Sequence, residues 1–109
     1  SNLFRPKNRI LFSKEIKYTI EEALKTHLQG IVAALEGMKI RKNREAILKS
    51  SNFKTLMMVS KEDPVLDYNT LILQAKNTNT KVVEFPDGHM SYIENKDNFL
   101  QKILLFIEN

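Results

Sequence analysis

Two short apolar segments in the C-terminal half, separated by a helical pattern, restrict the fold of this chain more than any other feature. The first, Thr55–Val59, is an apolar run between polar flanks, and the second, Lys81–Phe85, is rich in β-branched and aromatic residues. Between them, apolar residues recur at helical spacing: Tyr68, Leu71, Ile72 and Ala75. The sequence therefore predicts a β-α-β unit with parallel strands and a right-handed crossover.

Each predicted strand is followed by a turn that carries one titratable side chain. Pro64 excludes the α region for Asp63, so the chain leaves the first strand in an extended turn. In Pro86-Asp87-Gly88 the proline presets φ and the glycine accepts a positive φ, which presents His89 on a loop. Because ligands of parallel α/β sheets bind beyond the carboxyl ends of the strands, Asp63 and His89 are expected at a common site.

The segments around these two residues resemble the end of the α/β-hydrolase superfamily. Lys61-Glu62-Asp63-Pro64-Val65 is similar to the D-P-V segment that carries the acid of the family's triad, and the G-H segment that starts at Gly88 is similar to the one that carries its histidine. The resemblance implies that His89 and Asp63 are catalytic, with His89 as general base and acid and Asp63 orienting its ring.

The family's nucleophile elbow, G-x-S-x-G, and its HGGG-type oxyanion segment are absent from the 109 residues. The resemblance therefore implies the α/β class, specifically a C-terminal fragment of an α/β-hydrolase fold. This fragment would have two parallel strands, flanking helices and an N-terminal helical segment derived from the cap. It would carry the acid and the histidine without the nucleophile and be inactive alone.

Three regions are expected along the chain. Residues 1–9 are a tail or a tag-derived extension, residues 10–50 a helical cap-derived segment, and residues 51–109 the C-terminal βαβα part of the hydrolase core. In the cap-derived segment we expect Ser13 to cap a first helix, the T-x-x-Q sequence Thr26–Gln29 to begin a second, and Gly37 to stop or kink it. A short third helix is expected at about 43–50, and Asn95 is expected to cap the last helix.

A cap would form an apolar roof over the site. The candidate substrate-pocket residues are four on the second predicted helix and one beside the histidine: Leu28, Ile31, Val32, Leu35 and Met90. The simpler interpretation, which we favour for most of the helical stripe, is that these residues are core.

Other residues near the two turns compete for catalytic roles. Glu62 is expected to point away from Asp63, Asp67 fits a helix N-cap, and Asp87 belongs to the turn. Ser60 and Ser91 do not lie in a nucleophile-elbow sequence. Taken singly, Asp63 could be a turn carboxylate and His89 a loop histidine bonded to the backbone, but as an ordered pair they favour catalysis.

The composition of the chain argues against several classes of ligand and partner. The chain has no cysteine, which excludes disulfides and thiol catalysis, and its two histidines lack metal-ligand spacing, so a metal site is not expected. The resemblance also implies no cofactor, because side chains and water do the chemistry of the α/β-hydrolases. Residues 1–54 carry 12 Lys and Arg against 5 Asp and Glu, but their basic cluster has no aromatic interleaving, so nucleic acid is not expected. No stretch approaches a membrane-spanning length, and a cytoplasmic location is expected.

The sequence is compatible with two functions. The favoured one is hydrolysis of a small ester-like substrate, with the missing N-terminal hydrolase segment as a partner; a serine or an aspartate nucleophile fits equally. The alternative is a small α/β ligand-binding or interaction module without catalysis. Truncation would leave the first strand with an unpaired edge and would expose apolar helix surface, which predicts self-association.

Overall fold

The β-α-β unit predicted from the sequence is present. The computed structural model describes residues 1–109 and places strand β1 at Thr55–Ser60, helix α4 at Tyr68–Ala75 and strand β2 at Thr80–Phe85. The two strands form a two-stranded parallel sheet in which Thr55 lies opposite Thr80 and Ser60 opposite Phe85. The prediction of a mixed α/β class with two parallel strands is confirmed.

Five further helices complete the chain. They are α1 (Ser13–Leu24), α2 (Leu28–Ile40), α3 (Glu45–Ser50), α5 (Ser91–Glu94) and α6 (Lys96–Glu108), and a single 3-10 turn spans Pro6–Asn8. None of these helices has the length and apolar character needed to cross a bilayer.

Helix caps were predicted with mixed success. Asp67 caps α4 as expected, since its Oδ2 accepts hydrogen bonds from both the backbone N–H and the hydroxyl of Thr70, each at 2.8 Å. Asn95 occupies the N-cap position of α6 as expected, but its amide donates to Asp87 and its side chain makes no capping hydrogen bond. The other two predicted caps are wrong, since Ser13 is the first residue of α1 and no side chain caps α2 at His27. A cap contributes only about 1 kcal/mol, so tertiary contacts readily override it.

Gly37 does not stop the second helix, because α2 continues to Ile40. Glycine costs a helix interior only about 1 kcal/mol relative to alanine.

The deepest packing lies between the sheet and the last helix. Val59 and Phe85 are the most fully buried large side chains, and the ring of Phe85 lies 5.7 Å from that of Phe99 on α6. These residues come from the carboxyl ends of both strands. The most deeply buried part of the apolar core therefore lies next to the two turns of interest.

Residues 1–9, expected to be a tail or tag-derived extension, instead pack against the body of the protein. Phe4 is only 2% exposed and forms a buried cluster with Ile16 of α1 and Met90. Burial of the large aromatic ring of Phe4 stabilises the packed position of this segment. The sequence around Phe4 gives no indication of this burial.

The chain exposes an unusually large surface for its mass. Its accessible area is 8566 Å², whereas a folded monomer of 12.7 kDa exposes about 6,200 Å². The radius of gyration is 16.1 Å, against about 13 Å expected for a compact domain of this length. Helix α2 contributes strongly to the excess, because no residue of it is buried.

We predict that Phe85→Ala destabilises the chain by about 3–5 kcal/mol, because it leaves a cavity in the packing between β1, β2 and α6. Phe53→Ala is the matched control: Phe53 is 81% exposed, and its loss should cost no more than about 0.5 kcal/mol. Urea denaturation of both variants measures the difference, and equal unfolding midpoints would show that Phe85 does not anchor the core.

Candidate active site

Asp63 is held in place by its own turn. Immediately after β1, its Oδ1 accepts hydrogen bonds from the backbone N–H groups of Val65 at 2.8 Å and Leu66 at 3.0 Å. Such side-chain-to-backbone bonds are typical of an Asp that begins a turn. They fix the direction of the carboxylate, and its side chain is only 7% exposed.

His89 lies beside this carboxylate. Its Nδ1 is 2.9 Å from Oδ2 and 3.1 Å from Oδ1 of Asp63, although the residues are 26 positions apart. The structure thus brings together the two residues that the sequence singled out. An Nδ1–H that donates to a carboxylate leaves Nε2 as the acceptor nitrogen of the neutral ring.

Nε2 of His89 makes no hydrogen bond with the chain, and the ring is partly exposed. A neutral imidazole in this state can accept a proton at Nε2 while the carboxylate stabilises the cation that results. Chemically, such a pair can accept and release a proton at Nε2.

The electrostatics of Asp63 favour its ionised form. Burial raises the pKa of Asp63, but the hydrogen bond from His89, the N–H groups of Leu66 and Val65, and the charge of His89 together lower it further. The net pKa lies below the ordinary value of 3.8. Asp63 is consequently a carboxylate at neutral pH and a hydrogen-bond acceptor only.

A cavity of about 230 Å³ adjoins the pair, and Asp63 and His89 both line its wall. The rest of the wall is mainly apolar and comes from the strand ends and helices: Met58, Val59, Ser60, Leu66, Leu71, Phe85, Ser91, Tyr92 and Phe99. The contributions of Leu71 on α4 and Phe99 on α6 were not predicted, because they depend on contacts distant in sequence. A larger hollow of about 510 Å³, beside Arg41–Glu45, is lined mostly by charged and polar side chains and lies away from the pair.

Ser60 and Ser91 are buried in the cavity wall and hydrogen-bond to each other through their hydroxyls. The Ser91 hydroxyl also donates weakly to the Gly88 carbonyl at 3.5 Å. Neither hydroxyl bonds to His89. The hydroxyl pair makes the floor of the cavity polar next to the imidazole, and it offers no serine activated by the histidine.

The candidate pocket residues on the second helix do not line this cavity. Leu28, Ile31, Val32 and Leu35 are all exposed on α2, which belongs neither to the cavity wall nor to the core. Met90 is buried, but it faces the cluster of Phe4 and Ile16. The spacing of the apolar residues correctly predicted that the first four lie on one helix. It could not predict which of them are buried, because burial depends on how α2 packs against the rest of the chain.

Each competing acid has another partner. Glu62 forms an ion pair with Arg5, with Nε and Oε2 3.0 Å apart, and Asp67 caps α4. Asp87 is buried and its Oδ2 accepts a hydrogen bond from the Asn95 amide at 3.2 Å. Of the carboxylates near the two turns, only that of Asp63 contacts the imidazole.

No three His, Asp or Glu side chains lie close enough together to hold a metal ion. No protein-family model matches the chain, and the search of the curated proteins found no match.

The two carboxylates nearest the site should affect stability with opposite pH dependence. Burial raises the pKa of Asp87, reinforced by the charge of Glu94, and the Asn95 hydrogen bond, Arg5 and Lys7 offset this only in part. The folded state then binds a proton at Asp87 more tightly than the unfolded state, so its contribution to stability falls as the pH rises above 3.8. For Asp63, whose pKa is lowered, the contribution is complete above 3.8 and is lost as the pH falls through the folded value.

We therefore predict that, between pH 3 and pH 7, Asp87→Asn becomes more stable relative to the parent chain as the pH rises, while Asp63→Asn becomes less stable. Thermal unfolding of the three proteins across this range measures both differences. Differences that are independent of pH, or that share one sign, would contradict the assignment.

Proposed function

We propose that Asp63 and His89 are the acid and the histidine of a Ser-Asp-His-type hydrolase site, and that the nucleophile lies outside these 109 residues. The observation that carries the proposal is the contact of His89 Nδ1 with both carboxylate oxygens of Asp63, at 2.9 and 3.1 Å. The backbone N–H groups of Val65 and Leu66 hold that carboxylate in place. The carboxylate can therefore fix the orientation of the imidazole.

The position of the pair supports the same function. Both residues follow the carboxyl ends of adjacent parallel strands, where α/β proteins bind their ligands. The chain would then be the C-terminal part of an α/β-hydrolase, with the helices within residues 10–50 derived from its cap. The exposed apolar surface of α2 is consistent with a segment that packs against something absent from the described residues.

The proposed reaction is acyl transfer to a hydroxyl and then to water. Nε2 of His89 takes the proton of the nucleophile as its oxygen attacks the ester carbonyl, and returns that proton to the departing alcohol. Water then attacks the acyl carbon while His89 removes its proton, and the bond between that carbon and the nucleophile's oxygen breaks. The acid is released, and His89 returns the proton to the nucleophile's oxygen. Asp63 remains ionised throughout and stabilises the imidazolium.

The cavity adds a substrate preference to this proposal. At about 230 Å³, with a mainly apolar wall, it suits a short apolar acyl or alkyl group beside His89. The same cavity favours the second candidate function, a binding module that holds a small apolar ligand without chemistry. The two functions differ in whether His89 is needed for turnover or only for affinity.

We predict that the 109-residue chain hydrolyses a nitrophenyl ester of a short acid no faster than its His89→Ala variant. We call the extended protein the same chain with the residues encoded immediately upstream in its gene added at its N-terminus. This extended protein should hydrolyse the ester. His89→Ala should abolish that turnover, and Asp63→Asn should lower it by about 10⁴.

A control tests whether a serine of the 109 residues is the nucleophile. Replacing Ser60 and Ser91 together by alanine should leave the extended protein active, with its turnover still dependent on His89. Turnover by the isolated chain that requires either serine would contradict an external nucleophile. An extended protein that binds apolar ligands in the cavity without turnover would favour the binding module.

We also propose that the isolated chain self-associates. The sheet has only two strands, so β1 keeps one unpaired edge, and the excess surface of about 2,300 Å² is comparable to what one subunit of an obligate complex buries. We predict a mass above that of the monomer in sedimentation at tens of micromolar. A monomer throughout that range would refute self-association.

A further inference from the structure

The segment Leu3–Asn8, called the strap below, lies directly against the loop that carries His89. The backbone N–H of His89 donates to the Leu3 carbonyl at 2.7 Å. A Cβ on Gly88 would lie 2.8 Å from Arg5 N, 2.9 Å from the carbonyl carbon of Phe4 and closer still to the Leu3 oxygen. The sequence suggested that Gly88 supplies a positive φ, but no glycine in the chain has one. Glycine is needed here because the strap leaves no room for a side chain.

One carboxylate joins the strap to the histidine loop. Glu94, the last residue of α5, accepts the Gly88 N–H on Oε1 at 3.1 Å. Its Oε2 accepts the Arg5 N–H at 3.0 Å and the Asn8 amide at 2.7 Å. Two backbone donors and a side-chain amide, from two segments that are distant in sequence, thus converge on Glu94.

The strap also reaches the acid loop. The Arg5 guanidinium pairs with Glu62, the residue before Asp63, with 3.0 Å between Nε and Oε2. The N–H of Glu62 in turn donates to the Asp87 carbonyl at 3.1 Å. The strap therefore bridges both loops that form the site, and the burial of Phe4 holds it there.

We infer that Glu94 is a positioning residue, which acts through the strap to fix the backbone of Gly88 and His89 so that the imidazole meets Asp63. The catalytic meaning of this inference rests on the proposed function, whereas the positioning itself does not. The only hydrogen bond that the ring of His89 makes is the one to Asp63, so its placement depends on where the backbone holds it. A displacement of about 1 Å at such a position can cost roughly 10² in rate.

Nitrogen-15 NMR of the His89 ring tests the inference on the 109-residue chain. At pH 8 the parent chain should show the Nδ1–H tautomer for His89, whereas the exposed His27, which bonds to nothing through its ring, provides an internal reference for a free imidazole. Glu94→Ala should shift His89 towards the tautomer mixture of His27 and speed exchange of the Gly88 and His89 amide protons by at least tenfold. Glu94→Gln, which keeps one acceptor oxygen, should restore part of both signals.

Two matched controls separate positioning from general damage. Glu108→Ala makes the same change at the exposed end of α6 and should leave the His89 signals unchanged. Gly88→Ala should displace the strap and reproduce the effect of Glu94→Ala with Glu94 intact. Gly37→Ala, where the added methyl meets nothing within 4 Å, should not.

The outcomes distinguish this inference from the proposed function. Parent-like tautomer and amide exchange in both Glu94→Ala and Gly88→Ala would overturn the positioning role even if Asp63→Asn abolishes the Nδ1–H state. If the parent lacks that state, the proposed function fails, and the amide exchange alone decides whether Glu94 holds the loop. Should Glu94→Ala unfold the chain, the same readings on Glu94→Gln and Gly88→Ala give the decision.

In the extended protein, Glu94→Ala should lower kcat by roughly 10² with little change in KM, because it disturbs the geometry of His89 and not the cavity wall. An equal change in kcat for Glu108→Ala, or a change confined to KM, would contradict a positioning role.

Discussion

The site depends on the parallel pairing of β1 with β2. The register sets Ser60 opposite Phe85, so that the two strands end side by side and release their loops in the same direction. Hydrogen bonds continue past the strands, from the Lys61 N–H to the Phe85 carbonyl at 2.9 Å and from the Glu62 N–H to the Asp87 carbonyl at 3.1 Å. A shift of one residue in this register would turn the end residues to the opposite face and separate Asp63 from His89.

The carboxylates around the two loops differ in function because they differ in their donors. Asp63 receives two backbone N–H groups and the imidazole, which keeps it charged beside a proton carrier. Asp87 is 4% exposed and accepts one side-chain amide, and its burial raises its pKa because this hydrogen bond offsets the burial only in part. Glu94 receives donors from two distant segments and joins them. Residue type alone does not distinguish these roles, but the number and origin of the donors does.

The sequence predicted those features that depend on short-range patterns. The strands, α4 and its Asp67 cap follow from apolar spacing and turn chemistry within a few residues, and the meeting of Asp63 with His89 follows from two parallel strand ends. Features that depend on distant segments were not predictable. Nothing near Ser1–Arg9 signals that Phe4 is buried, and nothing near Gly88 reveals that the Leu3 backbone occupies the space of its missing side chain. The exposure of Leu28 and Leu35 was missed for the same reason, because a periodic stripe shows that a helix has an apolar face but not what covers it.

The long sequence separation between the strap and Glu94 has a consequence for the order of folding. β1 and β2 pair across 25 positions, whereas Arg5 and Glu94 are 89 positions apart. Closing the longer loop costs about 1 kcal/mol more in chain entropy, so the β-α-β unit can form before the strap docks. On heating, we therefore expect the strap to be released as a partial opening before the sheet is lost. The order of the His89 loop would then be lost at a lower temperature than the secondary structure, and the two melts need not coincide.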